Sequence, residues 1–124
     1  MPRADYVMLE DKAIELGRMI GQSSEYQAVK RANDALSADR EAVGLLQRLE
    51  QLRVDAQRLI ERGENPTPEM EQQLDALLSD IQGRPVYQRA IAAQENFDKI
   101  MARVNTWILD GIKRGSASPI ITLG

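Results

Sequence analysis

The chain has 124 residues, 16 basic against 19 acidic for a formal net charge of -3, and 43% hydrophobic side chains. That is the length of one domain, enough to bury a core without staples. It holds no Cys and no His. Disulfides, thiolate nucleophiles, Cys/His zinc sites, thiolate-held clusters and every His-based triad are therefore excluded.

Aromatic residues make up only 4% of the chain, while Ala and Leu are abundant, which is the composition of helices rather than sheets. The opening Met1-Pro2-Arg3-Ala4-Asp5 lacks a basic region followed by an apolar core, and no apolar run approaches ~18 residues. The expectation is a soluble, cytoplasmic chain without membrane contact. Net acidity argues against direct nucleic-acid binding by phosphate neutralisation.

Leu9, Ala13, Leu16 and Ile20 recur at steps of four, three and four, which predicts a first helix over roughly residues 6–20, ended by Gly21. Ser23 or Ser24 caps a second helix carrying Tyr26, Val29, Ala32 and Leu36, and Ser37 is expected to cap a third. The third helix, about 38–62, holds the most regular pattern. Ala42, Leu45, Leu49, Leu52, Ala56 and Leu59 alternate steps of three and four, a heptad seam that Val43, Leu46 and Ile60 widen. Gly63 suits its C-terminus.

Thr67-Pro68-Glu69 reads as an N-cap, a first helical proline and an acid facing the helix dipole. Met70, Leu74, Leu77 and Ile81 form the apolar stripe of this fourth helix. Gly83-Arg84-Pro85 breaks the chain and restarts it. The fifth helix follows with Val86, Ala90, Ala93, Phe97, Ile100, Val104 and Trp107, and is expected to end near Lys113 or Arg114. Phe97 and Trp107, at seam spacing, are expected in the core.

The fold expected is all-α: an antiparallel helical hairpin or bundle of about five helices, the third against the fourth and fifth, oligomerising through its long amphipathic helices. Charge agrees with that pairing. Residues 39–82 hold ten acids and five bases, and residues 84–114 hold three acids and six bases. The seam proposed for the core and for self-association is Leu45, Leu49, Leu52, Leu59, Phe97, Val104 and Trp107. Gly44 and Gly111 lie inside helical patterns, where close helix approach is the expected reason for them.

No catalytic constellation emerges. The pairs Glu10/Asp11, Glu69/Glu71 and Asp75/Asp80 have the chemistry for a hard cation or acid–base work, but solvated charge and dipole complementarity already explain them. Ser23-Ser24 has no base nearby and is better read as a cap. Seven internal glycines stand singly, with no Gly-Lys-Ser/Thr phosphate loop. Arg48, Arg58 and Arg62 share a face with Asp55 and Glu61, which reads as a solvated surface. The expectation is no enzyme, no metal and no cofactor.

Residues 1–114 then form a single helical domain, and residues 115–124 a flexible C-terminal tail. In that tail, Gly115-Ser116-Ala117-Ser118-Pro119 precedes Ile120-Ile121-Thr122-Leu123. A connector leading to a short apolar motif has the form of a docking peptide, with Ile120, Ile121 and Leu123 as anchors.

Leu16-Gly17, Ile20, Ser23-Ser24-Glu25-Tyr26, Ala32, Leu36, Asp39, Glu41-Ala42, Leu46, Leu49, Gln57 and Gly63, followed by Pro85-Val86-Tyr87 and Ala90, resemble the YlbF/YmcA-like (control of competence) family. The similarity covers roughly residues 7–112. It implies a small non-enzymatic helical protein that assembles with itself or with relatives and regulates competence, sporulation and biofilm formation through a complex affecting ribonuclease Y and messenger RNA processing. The resemblance associates family members in that complex with cysteine-held iron-sulfur clusters. This chain has no cysteine, so cluster binding does not carry over. The partners expected are itself and another protein. An alternative expectation is a scaffold or cargo protein recruited to a larger assembly or protein shell through its C-terminal peptide.

Overall fold

The computed structural model describes residues 4–117. They form five helices: α1 (Ala4–Gly21), α2 (Ser24–Ala38), α3 (Arg40–Glu61), α4 (Pro68–Gln82) and α5 (Pro85–Ala117). No strand occurs among the described residues, so the all-α expectation holds.

Most boundaries follow local chemistry. The Ser23 hydroxyl accepts the Tyr26 amide at 3.2 Å and donates to the Ile20 carbonyl at 2.6 Å, tying the start of α2 to the end of α1. Thr67 Oγ1 accepts the Met70 amide at 3.2 Å, with Pro68 in the first turn, as its sequence predicts. Gly63 adopts φ +78°, its amide reaching the Ile60 carbonyl at 3.0 Å while the Glu64 amide reaches Leu59 at 2.8 Å. That is a Schellman close, for which glycine pays no Cβ penalty.

Two boundaries differ from expectation. Ser37 lies inside α2, and the cap of α3 is Asp39, whose Oδ1 accepts the Ala42 amide at 2.9 Å. Its extended ψ of 104° breaks the backbone between α2 and α3, and an ionised carboxylate is a stronger acceptor than a hydroxyl. At the other end, α5 does not stop at Arg114 but runs through Gly115 to Ala117. One glycine weakens a long helix without ending it.

The helix pairing is also different. α3 packs on α4, but α5 takes α2 as its main neighbour rather than α3. The α2–α5 pair is antiparallel: the Tyr26 and Phe97 rings meet at 5.4 Å, while Leu36 lies by Tyr87 at the opposite end. Two helix pairs therefore share one junction, where Leu36, Ala42, Leu46, Ile81, Arg84 and Tyr87 converge. The core is thin. Val29, Ala42, Leu45, Ile81, Ala90, Ala93 and Val104 are buried, and no large described side chain is completely enclosed. α1 has no buried residue at all.

Candidate protein-docking surfaces

α3 has 22 residues and α4 only 15, and among the described residues α5 packs chiefly on α2 rather than along this pair. A heptad stripe covered along one edge alone stays partly open. Leu46, Leu49, Leu52 and Ala56 of α3, Met70, Leu74 and Leu78 of α4, and Pro66 of the loop between them consequently line a groove of about 740 Å³. Leu45 is buried, whereas Leu49, Leu52 and Leu59 are half-buried.

The groove is rimmed by Glu50, Arg53 and Glu71. Arg53 donates through Nε to Glu50 Oε2 at 3.1 Å and through Nη2 to Oε1 at 2.9 Å. This two-point hydrogen bond, reinforced by charge, holds the Glu50 carboxyl below its ordinary range and raises the Arg53 guanidinium. Both groups are open to water, so the pair orients the rim rather than anchoring the fold.

The junction carries a contact that no sequence spacing announced. Arg84, in the α4–α5 turn, donates from Nη1 to Glu41 Oε2 at 2.7 Å and lies 3.7 Å from Asp80 through Nε. Glu41 is the main cause of the raised Arg84 guanidinium. The link spans 43 positions, beyond any helical periodicity.

The second apolar surface lies at the far end. Trp107, expected in the core, is 62% exposed, and Ile108, Leu109 and Ile112 around it are exposed too. α5 simply outruns its partner: Phe97 already meets Tyr26, close to where α2 begins at Ser24, and the helix continues to Ala117. Phe97 itself is half-buried and Val104 buried. Leu9, Met8 and Met19 of α1 are equally open. The proposed docking residues Ile120, Ile121 and Leu123 lie outside the described residues.

The carboxylates Glu10, Asp11, Glu69, Glu71, Asp75 and Asp80 are all exposed. Among the described residues no group of three or more acids gathers in a way that would hold a metal ion. Arg48, Arg58 and Arg62 point to solvent, as a charged outer face requires. Among the described residues Gly44 and Gly111 have nothing within 4 Å of where a Cβ would stand, so no close helix approach is seen at either. No described helix is long and apolar enough to cross a membrane.

Comparison with known proteins places these features in a lineage. A UPF0342 protein of Limosilactobacillus reuteri (strain DSM 20016) is 27% identical over 107 residues, covering 86% of this chain and 87% of that protein. One from Streptococcus mutans is 32% identical over 89 residues, 72% of this chain and 79% of the relative. The fold is similar to that of Bacillus subtilis RicA, solved in complex with RicF, at a TM-score of 0.77 and 17% identity over 87% of this chain and 96% of RicA. A protein of unknown function (DUF964) from Bacillus stearothermophilus superposes at a TM-score of 0.63 and 19% identity, covering 90% and 97% of the two chains. The model of the family described as control of competence regulator ComK, YlbF/YmcA, matches residues 9–113, and the chain belongs to that family.

Proposed function

We propose that the chain is a non-enzymatic regulatory adaptor of the cytoplasm, a self-associating helical protein that binds another protein and modulates it, such as a ribonuclease complex processing messenger RNA. The observation that carries this reading is the apolar α3–α4 groove, a 740 Å³ trough with Leu49, Leu52 and Leu74 on its floor and charge confined to its rim. Such a trough suits an amphipathic helix laid along it. Membership of a family of competence regulators supports a regulatory role, and the RicA structure, solved with RicF, supports a protein as the thing bound.

The test is co-purification from the host with the native chain and with Leu49→Asp, alongside mapping of transcript ends in a deletion strain. The reading expects one protein held by the native chain and lost by the variant, with altered transcript ends after deletion. Capture unaffected by Leu49→Asp would remove the groove from the reading, and unchanged transcript ends would remove RNA processing.

A further inference from the structure

The α3–α4 pair has two flanks, and they differ. One is lined by Arg48, Gln51, Asp55 and Gln73 beside Leu52 and Leu77, a mixed polar surface. The other is the apolar groove, where charge stands only at the edges. From Leu46 to Ala56 the α3 wall runs ~15 Å at 1.5 Å per residue, the length of about three turns of a docked helix.

The two edges of the groove carry different charge. On α3, Glu50 and Arg53 satisfy each other through two hydrogen bonds of 3.1 and 2.9 Å, so that edge is close to neutral. On the α4 side the acids stand alone: residues 64–82 hold five acids and no base. Asp80 lies 3.7 Å from Arg84, but among the described residues Glu64, Glu69, Glu71 and Asp75 form no ion pair. The helix dipole accounts for Glu69 and Glu71 in the first turn and fades before Asp75. Glu71 lines the groove, and Asp75, four residues on, continues the same exposed edge. Like charges at that spacing repel each other along a helix, a cost that a cationic neighbour offsets.

We infer that the groove receives a basic amphipathic helix of a partner protein, about three turns long, with its apolar face on Leu49 and Leu74 and a Lys or Arg flank along Glu71 and Asp75. The inference rests on the reading of the groove as the partner site and names the chemistry of the partner. Apolar burial supplies the affinity, and the acidic edge selects the partner and its register. Because only one edge is acidic, a helix that is basic along one flank fits the groove in one direction. An acidic helix meets like charge along α4. α1 of a second copy, with four acids against two bases over residues 4–21, is such a helix.

The test uses three synthetic helical peptides of about four turns, with Leu at i, i+3, i+4 and i+7 and with Lys, Gln or Glu at the flanking positions. Fluorescence anisotropy against the full chain should show the Lys peptide bound roughly tenfold or more tighter than the Glu peptide, a gap that narrows with salt. Glu71→Gln with Asp75→Asn relieves repulsion on an exposed edge, so circular dichroism should show the variant folded, and most of the preference for Lys should vanish. Arg53→Met frees the Glu50 carboxylate and should sharpen that preference. Leu49→Asn, which adds polarity without charge, should weaken all three peptides. Equal affinity for the Lys and Glu peptides overturns the inference, as does a preference that survives Glu71→Gln with Asp75→Asn, or binding indifferent to Leu49→Asn. A native chain whose sedimentation changes on Leu49→Asn would have its groove filled by a second copy, which overturns it as well. The adaptor reading fails on a separate result, when co-purification finds no protein held through the groove.

Discussion

Arg84 and Glu41, 43 positions apart in sequence, meet at 2.7 Å where the two helix pairs join. The contact fastens the turn between α4 and α5 to the first turn of α3, beside the Asp39 cap. Arg84 is largely covered while Glu41 is open to water, so the bond is screened on one side. Arg84→Ala should lower the melting temperature, and by less than loss of the apolar side chain beside it. The raised guanidinium is charged at every accessible pH, so raising the pH within the usual range should not release this contact.

Ile81 stands 3% exposed at the same junction. Ile81→Ala removes packing from the point where both helix pairs meet and should cost about 2–4 kcal/mol in urea unfolding. A cost close to that of an exposed isoleucine such as Ile60 would show that the junction does not hold the pairs together.

Leu45→Asp and Leu49→Asp should part company. Leu45 is buried, and an unpaired carboxylate there is destabilising by several kcal/mol or takes up a proton. Leu49 is only half-buried on the groove floor, so its substitution should spare the fold and act on partner binding. Equal losses of stability from the two would mean that the groove is closed in solution.

Thr67→Ala removes the acceptor that holds the Met70 amide and should destabilise the chain by ~1 kcal/mol, with Asp39→Ala similar for α3. Ser37→Ala, in contrast, should be nearly silent, because Ser37 lies inside α2 and caps nothing. Chemical denaturation of the three variants checks the order.

The Glu50 carboxyl is held below its ordinary range by Arg53. A depressed acid contributes stability that is present above its unfolded value and lost as pH falls through the lower folded one. Arg53→Met should therefore flatten the acid side of the stability profile slightly, and added salt should erase the difference because the pair is exposed.

The five helices and most of their ends were legible because helix formation is local. The periodic stripe of α3, the Thr67-Pro68 start and the glycine at 63 act within a few residues of themselves. The absence of Cys and His narrowed the chemistry in the same direct way. The groove was half legible: Leu49, Leu52 and Leu74 were visible as stripes, but a stripe does not announce that only one edge of it will be covered.

What the sequence by itself determined was which segments are helical, where their apolar faces run and which classes of chemistry are excluded. Tertiary structure alone decided which faces are covered. A stripe at helical spacing looks alike whether a neighbour reaches it or not, so Val104 and Trp107, three residues apart in one pattern, end up buried and exposed. The choice depends on where helices end relative to one another. α5 pairs with α2 because chain breaks at Asp39 and at Gly83-Arg84 fall at one junction, and it outruns α2 because the shorter helix begins at Ser24. Neither fact can be read from any single helix, since each is a relation of length and direction between two.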